Sequence, residues 1–394
     1  VQFIMAFLVV MVFMMVGEWV SSISHAYIPS VFVTAVLFVL GFWTILPKNI
    51  VASASFGNNF SSICIGLLLV HLGTLMSLKE LLQQWRAVCI ALLGVVGTLV
   101  LTLTVGTWIF NWHTVVAAIP PLTGGLVSAL LMSNGLKAQG IQYLVALPVS
   151  MFVLHSLVGY PLTSWLLKKE GHRLATEYQQ LPAAQRDLLQ NNAASGEGEV
   201  QDIFAKLPSQ YHTAAFALVK VALIALLSNW VASWTNGAIN SNVICLIFGV
   251  LAHQCGFLET NILNKAGVYN WLIYGLLAYI FAQLSITTPK QMGGIVLQII
   301  VLIVLGLLGM FIASSLLAKP FKMSWQMAYA CSLTSLFGYP ADYILTSEIS
   351  HEVATSKEEE NYLLKHMMPK MLVGGFATVS VASIIIASIF LKLL

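Results

Sequence analysis

Long apolar blocks separated by short polar breaks set the pattern of this chain. Ten of them reach the ~20 mostly apolar residues that a bilayer-crossing helix needs. They lie near residues 1–20, 28–47, 59–78, 87–110, 141–167, 212–235, 239–257, 269–287, 293–318 and 366–393, and predict about ten transmembrane helices. Two further segments, near 114–137 and 325–347, are too rich in Gly, Pro, Ser and Thr for ordinary spans and too apolar for ordinary loops. One polar stretch, 168–211, divides the chain; its Gln, Ala, Glu and Gly content predicts a soluble linker with an amphipathic helix around Glu177 to Leu189. Val1 to Val20 have no basic leading region and no small-residue cleavage site, so they predict a first transmembrane helix rather than a signal peptide.

The two halves resemble each other at a nearly constant offset. Ile28 and Ser30 reappear as Ile239 and Ser241, both 211 residues on (239 − 28; 241 − 30). Val39-Leu40 reappears as Val250-Leu251, Lys79 as Lys290 and Thr123 as Thr334, and then the register slips by ten, so that Pro148 matches Pro369. Each half reads as four spans, one odd segment and a fifth span. Five crossings per half is an odd number if the odd segment enters and leaves on one side. The second half must then sit upside down relative to the first, the inverted-repeat plan of many secondary transporters.

The expected fold is therefore an all-α integral membrane protein. Two inverted five-helix repeats, 1–167 and 212–394, each carry a re-entrant segment, and a cytoplasmic linker at 168–211 joins them.

Charge agrees with this parity. With the amino terminus outside, twelve of the 18 Lys and Arg residues fall in cytoplasmic loops, and only Lys48, Lys137, Lys290 and Lys392 stay outside. Composition agrees too: 58% of residues are hydrophobic and 8% charged, against about 25% charged in soluble domains. The surplus apolar surface must face lipid. A scattered net charge of +3 gives no footprint for nucleic acid. Cys64, Cys89, Cys245, Cys255 and Cys331 lack metal-ligand spacing and read as small buried hydrophobes. There is no nucleophile–base arrangement and no phosphate-binding loop. Neither an enzyme nor a resident cofactor is expected.

The odd segments carry the chemistry. The first reads Ala118-Ile119-Pro120-Pro121-Leu122-Thr123-Gly124-Gly125-Leu126-Val127-Ser128, the second Cys331-Ser332-Leu333-Thr334-Ser335-Leu336-Phe337-Gly338-Tyr339-Pro340-Ala341-Asp342. Proline removes a backbone donor and glycine permits positive φ, so together they break a helix. Unpaired peptide groups at membrane depth survive only when buried in protein or lining a wet cavity. Half-helix N-termini then suit an anionic group, while freed carbonyls and hydroxyls suit Na⁺. The alternative is ordinary loop chemistry on either side of the membrane.

At these residues the chain resembles the bacterial glutamate:sodium symporter family. The likeness rests on Ile28-Pro29 opening the second helix, on Gly73-Thr74-Leu75-Met76-Ser77-Leu78, on Thr123-Gly124-Gly125 before Ser128 and Ala129, and on Gly338-Tyr339-Pro340 before a half-helix. It implies a ten-helix, two-repeat fold in the bacterial inner membrane and Na⁺-coupled uptake of glutamate. It also implies a homodimer with an elevator-like moving unit that holds both re-entrant segments. The family's first motif continues His-Gly-Thr-Gly, where this chain has Leu126-Val127-Ser128-Ala129; its second has several glycines, where this chain has Ser332, Thr334 and Ser335. Asp342 stands where a small neutral residue is expected.

Candidate substrate contacts are Thr123, Gly124, Gly125, Ser128, Ser332, Thr334, Ser335, Gly338 and Tyr339, and candidate ion contacts are Asp342, Ser133 and Asn134. Asp342 could coordinate Na⁺, carry a proton or pair with a cationic substrate; equally, it could offset the dipole at a helix start. Each hydroxyl could equally be a packing or capping group. His71 and His155 read as intramembrane packing residues or a proton relay, Lys220 and Lys370 as snorkelling cations, Glu18 as interfacial, and Glu358, Glu359 and Glu360 as a solvated face. The functional expectation is a cation-coupled carrier of a small carboxylate or amino acid, with Na⁺ favoured. The alternatives are a proton-coupled carrier or exporter using Asp342, and a channel.

Overall fold

A computed structural model describes residues 2–75, 83–182, 203–204, 208–234, 241–282, 285 and 295–394. The described residues contain helices and no strand. In chain order they are α1 (Gln2–Ile23), α2 (Ser30–Thr44), α3 (Ile50–Ser53), α4 (Asn58–Gly73), α5 (Trp85–Leu101), α6 (Trp112–Ala138), α7 (Leu147–Gln180), α8 (Ala214–Trp234), α9 (Ser241–Gln254), α10 (Ile262–Lys265) and α11 (Tyr269–Ala282). Then follow α12 (Val296–Ala318), α13 (Trp325–Leu333), α14 (Ala341–Val353), α15 (Lys357–Gly375) and α16 (Ser383–Leu391). Wide π turns extend α5 through Thr102–Gly106 and join α15 to α16 through Phe376–Ala382.

Among the described residues, five helices are long and apolar enough to cross a membrane: Gln2–Ile23, Trp85–Ile109, Leu147–Gln180, Ala214–Trp234 and Val296–Ala318. Large apolar side chains such as Ile4, Leu226 and Leu316 stand exposed on them, as lipid-facing residues do. This is the make-up of a membrane protein. The blocks at 28–47, 59–78, 239–257 and 269–287 form shorter helices of 14 to 16 residues. At ~1.5 Å per residue these fall short of a ~30 Å hydrocarbon core if upright. The last block, as far as Leu391, lies within the continuous run of α15, π turn and α16.

Two boundaries differ from expectation. Helix α7 does not stop near 167 but runs to Gln180, carrying Lys168, Lys169, Glu170 and Arg173 past the apolar stretch. Arg173 pairs with Glu170 at 2.8 Å, one turn apart, which supports the helical extension. Of the expected helix at Glu177 to Leu189, the first four residues belong to α7; 183–189, like Lys79 and Lys290, lie outside the described residues. The second difference is Glu359, which is buried rather than solvated. Ser356 caps α15 by accepting the Glu359 N–H, while Glu359 reaches back to accept the Thr355 N–H at 2.8 Å, one residue before the cap, in a variant of the capping box.

The chain forms two compact units. One comprises Val1–Val10, Asn49–Gln83 and Glu177–Ile280. In it α4 packs on α9 so closely that a Cβ on Gly73 would lie 2.5 Å from the Val250 nitrogen. Lys220 does not snorkel: it is buried and paired with Glu259 at 2.9 Å, its ammonium 4.9 Å from the Phe216 ring centre. His71 is buried, its Nδ1 accepting the Leu263 N–H at 3.2 Å.

The other unit comprises Met11–Lys48, Gln84–Thr176 and Phe281–Leu394. Helices α5 and α12 cross there at Gly97 and Gly309, each glycine facing the other's carbonyl. Thr98 donates to the Gly306 carbonyl at 3.0 Å beside that crossing. Backbones can approach this closely only where side chains are absent, the small-residue packing of membrane helices.

Element starts recur along the chain. Ser30 and Ser241, Asn58 and Tyr269, and Trp85 and Val296 open helices 211 residues apart (241 − 30; 269 − 58; 296 − 85). Trp112 and Trp325 open helices 213 apart (325 − 112).

Candidate functional site at two broken helices

Both odd segments are broken helices, and both lie in the second unit. Helix α6 carries Pro120 and Pro121 and breaks at Gly125, whose φ of 67° and ψ of −152° no helix contains. Just before the break, His155 of α7, fully buried, donates Nε2–H to the Pro121 carbonyl at 3.0 Å. Ser128 spans the break, its hydroxyl 2.8 Å from the Pro120 carbonyl and 3.0 Å from that of Gly125. Buried side chains thus hydrogen-bond the backbone at the kink and just before it.

In the second segment α13 starts at a Ser324 cap that accepts the Met327 N–H, while the Ser324 hydroxyl donates to Glu170 at 2.7 Å. The helix tightens to a 3₁₀ turn over Thr334–Leu336, reverses at Gly338 (φ 63°) and restarts as α14 after a cis Tyr339–Pro340 bond.

The two breaks meet on one residue. A Cβ on Gly125 would lie 3.5 Å from Val379, and one on Gly338 would lie 2.9 Å from the same side chain. Val379 sits in the π turn between α15 and α16, a widening often found at functional positions. Helix α7 lines the other side: Gly159 faces Leu336 and Phe337, and Tyr160 packs on Phe337 with ring centres 5.2 Å apart.

Asp342, the second residue of α14, is fully buried beside this junction. Its Oδ1 accepts the Tyr343 N–H at 2.7 Å. Its Oδ2 has no hydrogen-bond partner among the described residues and points at Gly375, where a Cβ would lie 2.5 Å away. One oxygen thus serves the helix start, and the other is an unsatisfied buried acceptor, which is costly unless it is neutralised or bound.

The remaining expected contacts divide. Gly125, Gly338 and Asp342 lie at the junction, and Thr334 stands next to Gly374. Tyr339 stacks near Phe376, the first residue of the π turn. Ser332 turns instead to the Ile90 carbonyl of α5, Ser335 to Met310 of α12, and Gly124 to Ser383 of α16. Thr123, Ser128, Ser332, Thr334 and Ser335 all donate to nearby backbone carbonyls. Ser133 and Asn134 do not join Asp342 in its buried setting: Ser133 donates to the Val145 carbonyl at 2.8 Å, and Asn134 is exposed. The ion-contact trio is not assembled.

His155 takes the packing role named for it, as a buried hydrogen-bond donor. One participant was missed. The Gly374-Gly375 pair followed by Thr378 is the sequence signal that could have marked the last helix as part of the site. Among the described residues no cluster of His, Cys, Asp and Glu could hold a metal ion. Neither a protein-family model nor a curated protein sequence matches the chain.

Proposed function

We propose that this chain is a secondary transporter that moves a small carboxylate or amino acid with a coupling cation, by alternating access. One observation carries the reading. Two helices are broken by positive-φ glycines at Gly125 and Gly338, 213 residues apart (338 − 125), and both breaks rest on Val379 beside a fully buried carboxylate. Broken helices pointing free backbone groups at one place are how transporters build solute and ion sites at membrane depth.

The two halves are inverted repeats, and the broken helices are re-entrant segments that enter from opposite sides. Asp342 takes part in cation coupling. Resemblance to glutamate:sodium symporters names Na⁺ and glutamate as the first pair to try, a homodimer as the assembly, the bacterial inner membrane as the location, and the cytoplasm as the side of the linker. A proton is the alternative cation.

The test is uptake into proteoliposomes. Amino acids and dicarboxylates are offered under a Na⁺ gradient, a pH gradient or neither. The expected result is saturable uptake with counterflow, driven by one of the two gradients, and loss of that driving force in Asp342→Asn. Ohmic single-channel currents without counterflow would replace the carrier by a pore.

A further inference from the structure

The turn between α1 and α2 holds two consecutive non-glycine residues in the left-handed region: His25 at φ 51° and Ala26 at φ 53°. Such a conformation costs roughly 1–2 kcal/mol per residue for an L-amino acid, and persists only where surrounding contacts over-determine it. Those contacts come from two helices. From α7, Lys168 donates to the His25 carbonyl at 2.6 Å and Ser164 to the Ala26 carbonyl at 2.7 Å. The Lys168 ammonium also lies 3.4 Å from the centre of the Tyr27 ring.

From α14 come two carboxylates one turn apart. Glu352 Oε1 is 2.6 Å from His25 Nδ1. Glu348 Oε2 accepts both the Ser21 hydroxyl at 3.1 Å and the Ser30 N–H at 3.2 Å. Ser21 lies near the end of α1 and Ser30 opens α2, so this one oxygen ties both helices to the second arm of the second broken helix. Asp342 is on the same arm, six residues before Glu348, about 9 Å along a rigid helix.

We propose that Glu348 and Glu352 form a latch. They hold the second broken helix shut against the α1–α2 turn, and their release is the step that opens the site toward the Lys168 end of α7. This rests on the transporter reading, in which that end is cytoplasmic. Strain stored at His25 and Ala26 favours the released turn, and the charge-assisted contacts to α14 favour the closed one. Such a balance suits a gate that must move in both directions.

The experiment uses the full chain in lipid nanodiscs and reads amide hydrogen exchange in residues 341–353 and 24–30. Glu348→Ala, Glu352→Gln and a control at the exposed Glu358, Glu358→Gln, are compared with wild type. Glu348→Ala is expected to speed exchange in both segments by about tenfold or more, the effect of losing charge-assisted hydrogen bonds; Glu352→Gln, whose partner His25 is largely exposed, by less, about two- to fivefold; the control leaves both unchanged. Counterflow in proteoliposomes is expected to change at least threefold in the latch variants.

Unchanged exchange in both latch variants overturns the proposal. So does faster exchange with unaltered counterflow, since the contacts would then be a structural tie. If wild type shows no carrier-type flux for any solute, the transporter reading fails and the gating role with it, while the exchange data still decide whether the carboxylates hold the turn.

Discussion

At the scale of single residues, burial decides which polar groups matter. His155 donates to the buried Pro121 carbonyl just before the Gly125 kink. Replacing it by alanine removes that buried hydrogen bond, at a cost of about 0.5–1.5 kcal/mol. His155→Ala should lower the thermal midpoint of the detergent-solubilised protein, and His155→Gln, which keeps a donor, should recover part of the loss. Equal midpoints for both would show that ring packing, not the hydrogen bond, is the contribution. Asp342 was legible in the sequence because an acid among apolar residues is costly enough to stand out. The hydroxyls were legible as positions but not as roles. Thr123, Ser128 and Thr334 donate to backbone within a few residues, a use that composition cannot separate from ligand binding. Glu359 was misread although its signal was present: a serine three residues before a glutamate, here Ser356 and Glu359, is the capping-box pattern.

At the scale of elements, the breaks were readable and their meeting place was not. Gly and Pro within an apolar run mark a kink locally. That both kinks settle on Val379 depends on how the π turn between α15 and α16 packs against the two broken helices, which no local pattern encodes. The two glycines should differ in their tolerance of a methyl group. Gly125 sits at ψ −152°, a region essentially reserved for glycine, so Gly125→Ala should cost about 1–3 kcal/mol in backbone strain alone. Gly338→Ala adds a contact at 2.9 Å with Val379, so its loss should be larger. Gly140 also has positive φ, 77°, but nothing lies within 4 Å of its would-be Cβ, and Gly140→Ala should leave solute flux intact. Melting curves and counterflow on the three variants check the order. A Gly338→Ala protein as stable and active as Gly140→Ala would remove the junction from the mechanism.

At the scale of the whole molecule, what the sequence carried best was periodic spacing. The 211-residue offset read from scattered identities returns as helix starts at Ser30 and Ser241, Asn58 and Tyr269, and Trp85 and Val296. Orientation is a different matter, because spacing is blind to direction and rests here on parity and charge. Lys48, Lys137, Lys169 and Lys357 are all exposed and all lie in the second unit, so they report sidedness. If the halves are inverted, a cysteine placed at 48 or 137 should react with an impermeant maleimide added outside intact cells. One placed at 169 or 357 should react only in inside-out vesicles. The pair at 137 and 357 bears most weight, since 137 lies in the last turn of the first broken helix and 357 follows the second. Two segments that enter from opposite faces must leave those residues on opposite sides; labelling of both from one side would mean parallel halves. The two glycine breaks would then open toward the same solution, and alternating access around them would lose its geometric basis.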